Sequence, residues 1–428
     1  MATATGVSDV FPLGSRVDEH GRLQIGGCDA LALAREFGTP AYVVAEDDLR
    51  ARARAFLAAA AQAGHGDLHV VFASKAFPCT AVLSLFAGEG LWCDVASGGE
   101  LHLALHAGFA PERIVLHGNA KSEAELRMAL RHRVGLVVID NFDEIDRLER
   151  LLGEGGSVDR GGQPVLVRVT PDVQGQTHAS ISTGQADSKF GFSMEQAPRA
   201  IERVRSVAGL ELRGLHAHIG SQLLQLEPFA AAAAQLGTLG PFPVWDLGGG
   251  LGTRYTERQQ APPTIDEYVA AVVRAAHEHG AGGGQRLLIE PGRSLTANAA
   301  VTLYTVESVR SNVSRWVAVD GGMSDNIRPM LYGAQIEAHV ADRLHGDMPC
   351  VLVGKHCESG DVLAREALLD EPHAGDVIVT PATGAYGYAM ASNYNGVPRP
   401  PVIFCRDGDA RVVVRRESFE DLTARDLA

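Results

Sequence analysis

Cysteine is scarce in this sequence: six stand in 428 residues, at Cys28, Cys79, Cys93, Cys350, Cys357 and Cys405, and no two form a CxxC pair. That spacing excludes a disulfide scaffold and the common zinc frameworks, and it fits a reducing compartment. Positive charge is also short. Lys and Arg number 38 against 52 Asp and Glu, a formal charge of -14, so neither nucleic acid nor an anionic membrane surface is expected as a partner. No apolar run approaches the length of a membrane span, and the opening MATATGVSDVFPLG lacks the basic start and apolar core of a signal peptide. Internal repeats and low-complexity linkers are missing as well. What is present, 46% hydrophobic and 21% charged residues, is the make-up of a globular cytoplasmic protein with room for a large and a smaller domain, suited to small-molecule work.

From residue 41 to 292 short apolar runs alternate with stretches of helical periodicity, the pattern of βα units around a parallel sheet. A leading strand-like AYVVA precedes eight strand candidates: HVVFAS, LWCDVAS, RIVLHG, VGLVVID, PVLVRVT, LRGLHAHIG, PVWDLGGG and RLLIEPG. One helical segment lies between each pair, from CTAVLSLFAGEG to TIDEYVAAVVRAAHEHG. Eight such units over about 250 residues predict a (β/α)8 TIM-like barrel, with a doubly wound open sheet as the competitor. Beyond Arg293 the runs VTLYTVESVR, RWVAVDGG, CVLVGKHC, DVIVTPA, PVIFCR and ARVVVRR follow one another without helices and predict an all-β domain, a β-sandwich or β-barrel. The N-terminal RLQIGG is expected to add to it, giving a barrel over residues 38–297 and a β-domain from 1–37 and 298–428.

Polar residues gather at the C-terminal ends of the proposed barrel strands, where such barrels assemble active sites. Lys75 follows HVVFAS, where lost hydration would lower the amine pKa toward nucleophilicity, as a Schiff-base lysine requires. A solvated loop lysine is the plain alternative. In DLGGGLG, Gly248, Gly249, Gly250 and Gly252 would let backbone N–H groups approach a phosphate, although such a run also makes a tight turn. No P-loop Lys-Ser/Thr and no GxGxxG opening a helix accompany it. HAHIGSQ places His216 and His218 on one strand face ahead of Ser221, and either histidine could be an ordinary core residue. IEPGRSL ends the last strand on Glu290, with Gly292 and Arg293 following, and a structural ion pair would explain it too. The β-region holds Gly-punctuated polar loops, VDGGMSDNIRPMLYGA, GKHCESGD and TGAYGYAMASNYN, of the kind that carries binding residues. HCE with Asp361 lacks metal-ligand spacing, and no metal is expected.

Taken together, FASKAF, CDVASGGEL, RIVLHGNAKS, TGQADSKFGF, HIGSQ, DLGGGLG, EPGR, DGGMSDNIRPMLY, CESGD, TGAYG and RRESFEDL resemble, in order and over nearly the whole chain, the diaminopimelate decarboxylases of the fold-type III pyridoxal-phosphate (PLP) family. Ornithine and arginine decarboxylases belong to the same family and alanine racemases lie further off. The resemblance implies a PLP-binding TIM-like barrel plus a β-domain, and decarboxylation of meso-diaminopimelate to L-lysine and carbon dioxide, the last step of lysine biosynthesis. It implies that Lys75 holds PLP and His218 stacks on its ring. Ser221, the Gly248 to Gly250 backbone, the segment around Gly292 and Arg293, and Tyr386 would hold the phosphate end. Glu290 would pair with the pyridine nitrogen. Arg293, Arg328 and Tyr332 would bind the distal carboxylate of the substrate, with Tyr386 close by and Glu358 on its distal ammonium. Cys357 would serve proton delivery from the partner subunit of a homodimer with shared active sites.

Two segments depart from the family pattern. FASKAFP lacks the Tyr before the alanine and the Asn two residues after the lysine that many relatives have, and His356 stands where a proline is common. Should Lys75 not carry the cofactor, Lys189 in SKFGF and then Lys121 are the rivals. Sister decarboxylases for ornithine, arginine or carboxynorspermidine share the cofactor apparatus, and a non-catalytic PLP-binding protein would keep the barrel, lysine and phosphate site. CESGD with NIRPMLY points instead to a substrate with a second amino-acid head. A racemase works better with a weaker electron sink than Glu290 implies.

Overall fold

A computed structural model describes residues 6–154, 161–173 and 188–427. The chain divides into two compact units, one of Arg52–Gly252 and Pro262–Gly292, the other of Met1–Ala51, Thr253–Ala261 and Arg293–Ala428.

The first unit is a closed parallel barrel. Its strands are β1 (Leu68–Ala73), β2 (Trp92–Val95), β3 (Ile114–Leu116), β4 (Leu136–Ile139), β5 (Gln163–Thr170), β6 (Leu210–His216), β7 (Val244–Asp246) and β8 (Arg286–Ile289). Each pairs in parallel with the next, and β8 closes on β1 with Leu287 opposite Leu68. The open-sheet competitor is thereby excluded. Val71, Trp92, Val115, Leu136, Val138, Leu166, Val244 and Leu288 form one buried apolar cluster from seven of the strands. Burying branched side chains from so many strands in one layer specifies closure, because removing a buried methylene from such a core costs about 1 kcal/mol.

The linking helices start where the sequence supplies caps. Ser122 and Glu125 form a reciprocal capping box ahead of Glu123–His132, and Thr264 and Glu267 do the same for Ile265–Glu278. In Phe142–Glu154 the buried Ile145, Leu148 and Leu151 recur every three residues, so one stripe of that helix faces inward.

The second unit is built on a mixed sheet in the order Val362–Leu369, Met348–Val353, Arg315–Val319, Ala300–Ser311, Ala41–Ala45, Val402–Arg406, Asp409–Val414. AYVVA therefore does not lead the barrel. It pairs with Ala300–Ser311 and Val402–Arg406, and residues 38–51 and 293–297 fall in this unit rather than with the barrel strands. A run buried at all five positions has no alternation to mark which sheet it joins. RLQIGG joins a separate small sheet of Arg16–Val17, Leu23–Ile25 and Cys28–Asp29, tied to the unit by Leu23 N–H donating to the Ala341 carbonyl. Among the described residues no helix is long and apolar enough to cross a membrane.

Candidate active site

In the barrel unit, Lys75 lies in the single turn Ser74–Ala76 that follows β1, its Nζ 3.9 Å from Asp94 Oδ2 at the end of β2. His117 follows β3, with Nε2 3.8 Å from Asp94 Oδ1 and 2.6 Å from Glu290 Oε1. His216 ends β6 and places Nε2 3.3 Å from the other Glu290 oxygen, and the two imidazoles meet edge to face at 4.8 Å. His117, His216, Asp246 and Glu290, all buried, each bring a polar atom to within 4.8 Å of one another. Arg168 on β5 lies 3.5 Å from Asp140, which follows β4.

Electrostatics divides the roles of the buried acids. Burial opposes charge on Glu290, yet His117 and His216 outweigh it and hold the carboxyl well below the usual carboxylate range. Burial, and then the Glu290 charge, push Asp246 well above that range. Glu290 is the one with an imidazole nitrogen against each oxygen, so it keeps the charge and Asp246 the proton. Burial takes His216 down to about 3, leaving it neutral. His218 is likewise depressed, by burial and then by the Lys75 charge. Gly249 N–H donates to His218 Nδ1 at 3.1 Å, which places the proton of the neutral ring on Nε2.

The glycine run is required by packing. A Cβ on Gly249 would stand 2.0 Å from the Glu290 carbonyl oxygen, and one on Gly250 2.5 Å from that of Gly220. Leu223 N–H donates to the Gly250 carbonyl and Gly252 N–H to that of Leu223, lacing the HIGSQ loop, with the half-buried Ser221, to the glycine loop. Gly248 N–H donates to Asp246 Oδ1 at 3.0 Å and Gly249 N–H to His218 Nδ1. A Cβ on Gly292 would press to 2.9 Å on that of Ala73. The rival lysines are otherwise occupied. Lys121 is buried and donates to the Gly118 and Val138 carbonyls and to Glu144, and Lys189 sits over the Phe190 ring. Of TGQADSKFGF, the first five residues lie outside the described residues.

The second unit holds its own polar group. Arg293 and Arg328 are both buried, and Arg328 opens the short helix Arg328–Tyr332 that ends on the half-buried Tyr332. The Arg328 guanidinium lies 4.0 Å from the centre of the Tyr255 ring. Arg293 donates to the hydroxyl of that tyrosine and lies 4.7 Å from the ring of Tyr386. Tyr386 has φ of 61°, a left-handed conformation that a non-glycine residue holds at a cost of about 1–3 kcal/mol and that tends to occur at working sites. Burial, and Arg293 beside it, push Arg328 down from its ordinary pKa, and its Nε has no hydrogen-bond partner among the described residues. Cys357 and Glu358 are exposed on a loop anchored by Asp361, whose carboxylate accepts from Met323 and His356 N–H at 2.7 and 2.9 Å.

Asp94, His117, Arg168, Asp246 and Tyr255 were not singled out from the sequence. Asp94, His117 and Asp246 stand in quoted motifs at strand ends, so the strand-end rule was the signal for them. Nothing local marks Tyr255.

A lysine just after one barrel strand and a buried, ionised glutamate just after another suit a cofactor with a basic ring nitrogen. The barrel offers what such a group needs: Glu290 is a buried anion, His216 Nδ1 is buried without a hydrogen-bond partner among the described residues, and His218 is a neutral flat ring. The model of the pyridoxal-dependent decarboxylases, pyridoxal binding domain, matches residues 46–297, and the chain belongs to that family. A diaminopimelate decarboxylase of Bacillus subtilis strain 168 is 46% identical over 96% of this chain and 97% of its own length, and one from Actinosynnema pretiosum subsp. auranticum is 46% identical over 98% and 95%. Among solved structures, diaminopimelate decarboxylase from M. jannaschii in complex with L-lysine superposes with a TM-score of 0.89 at 31% identity, covering 97% of this chain and 98% of that one.

Proposed function

We propose that the protein catalyses the PLP-dependent decarboxylation of meso-diaminopimelate to L-lysine and carbon dioxide, the last step of lysine biosynthesis. The observation that carries this reading is the pair of buried guanidiniums, Arg293 and Arg328, on one tyrosine. Arg328 Nε is buried without a hydrogen-bond partner among the described residues, and arginine's planar fork suits a carboxylate. A substrate with a carboxylate remote from the scissile one supplies it.

Lys75 would hold the cofactor covalently, His218 would stack on its ring, and Ser221, the Gly248 to Gly250 backbone, Gly292, Arg293 and Tyr386 would hold its phosphate end. Bound PLP would supply an electron sink for the pair left when carbon dioxide departs. Glu290 would keep its ring nitrogen protonated, which an ionised acid does and a neutral one does not. Arg293, Arg328 and Tyr332 hold the distal carboxylate and Glu358 the distal ammonium, so the scissile carboxylate is presented in one orientation. Cys357 delivers the proton that replaces it.

Cys357 and Glu358 are exposed on this chain, as are Met330, Leu331 and Tyr394, and Gly360 packs toward Met330. This supports a homodimer in which a partner subunit covers the loop. The exposed Cys357 thiol supports a cytoplasmic location. Lysine formation from meso-diaminopimelate by the purified holoenzyme tests the reading. Lys75→Ala is expected to lose both the visible absorbance of bound cofactor and turnover, and a variant keeping both would overturn the lysine assignment.

A further inference from the structure

Lys75, Asp94, His117 and Glu290 form a continuous chain of ionisable groups from the end of β1 to the end of β8, with successive gaps of 3.9, 3.8 and 2.6 Å. All but Lys75 are buried. His117 Nε2 is the atom that faces both carboxylates. Without an imidazole there, the negative charges of Asp94 and Glu290 would oppose each other directly in a low-dielectric interior. One of them would then take a proton, and Asp246, already protonated, offers Glu290 no compensating cation.

We propose that His117 is a positioning residue for the decarboxylation: it holds the Glu290 carboxylate toward the cofactor ring nitrogen and links its charge, through Asp94, to the amine of Lys75. The inference rests on the reading of Glu290 as the partner of that nitrogen. His216 is not equivalent, since it meets the other oxygen of Glu290, at 3.3 Å, and among the described residues forms no ion pair with Asp94. The groups that act on this cluster are Asp94 from β2, Arg168 from β5, His216 from β6, Asp246 from β7, Glu290 from β8, and Lys75 and His218 from the loops. A change at Lys75 between covalently engaged and free amine would thus reach Glu290 through one imidazole.

The test is a pH titration of the visible absorbance of bound cofactor, with the cofactor dissociation constant and steady-state kinetics, in the wild-type holoenzyme, His117→Phe, His117→Gln and Glu290→Gln. His117→Phe keeps the ring volume and loses the nitrogens. It is expected to move the titration midpoint by about one pH unit and to weaken cofactor binding about tenfold, the ratio one unit represents. Its kcat should fall while KM stays unchanged. His117→Gln, whose amide can reach Glu290, should restore the midpoint, which a merely space-filling role would not require. A wild-type midpoint in His117→Phe together with a shifted one in Glu290→Gln overturns the proposal alone. An unshifted Glu290→Gln overturns the ring-nitrogen reading and the proposal with it. If His117→Phe does not fold, His117→Asn replaces it: too short to reach Glu290, it should show the shift, and a wild-type midpoint there overturns the proposal equally.

Discussion

Arg328 lies over the ring of Tyr255, guanidinium to ring centre 4.0 Å, while Arg293 donates to the hydroxyl of the same residue. The tyrosine holds both cations, one by its ring and one by its hydroxyl. Arg328→Ala should therefore weaken substrate binding and spare the cofactor. Losing a hydrogen bond to a charged group costs about 1.5–3 kcal/mol, so KM for meso-diaminopimelate should rise by roughly 10- to 100-fold with the cofactor absorbance intact. Loss of cofactor instead would contradict the assignment.

Gly249→Ala tests the loop by sterics. The new methyl would stand 2.0 Å from the Glu290 carbonyl oxygen, so the strand end must shift and the Gly249 N–H to His218 bond goes with it. Overpacking of this kind costs about 1–3 kcal/mol. A lowered Tm together with reduced cofactor content is expected, and a variant with wild-type values of both would show that the loop yields freely.

Asp325 gives a pH prediction in the second unit. Burial pushes its carboxyl up to about 7, although Tyr304 and the Gly322 N–H donate to it. An acid whose folded pKa exceeds its unfolded value binds its proton more tightly when folded. The stability it contributes is complete below about pH 4 and is lost as the pH rises through 7. Wild-type stability against urea should fall from pH 5 to 8 by up to about 3 kcal/mol from this source. Asp325→Asn should flatten that decline, and a stability difference between the two proteins that does not change with pH would contradict it.

Mixing Cys357→Ala with Lys75→Ala subunits tests the shared site. Each parent should be nearly inactive, and verified heterodimers should regain activity in up to one of their two sites. Heterodimers without activity would place both residues in one subunit's site.

Much of the fold was legible because the barrel strands end on polar residues and the helices between them carry capping boxes and apolar stripes. All eight barrel strands formed at their expected segments, with β1 and β5 starting one residue earlier and β6 two. Val362–Leu369 was not read as a strand: VLAREALL is made largely of good helix formers, and its pairing with Met348–Val353 overrides that preference. At the site, Lys75 and Glu290 could be read from their places at strand ends. The approach of His117 to Glu290 is created by closure of β8 onto β1, which brings residues after β3 and β8 together, and no local spacing encodes it. Tyr255 was missed for a similar reason, since its neighbours Arg293 and Arg328 come from distant segments.

The most direct measurement is carbon dioxide release by purified protein with PLP from meso-diaminopimelate, L-lysine, L-ornithine and L-arginine in parallel, with lysine scored as product. The account predicts release, with stoichiometric lysine, from meso-diaminopimelate alone. Preferred turnover of ornithine or arginine would contradict it and would remove the assigned roles of Arg328, Tyr332 and Glu358.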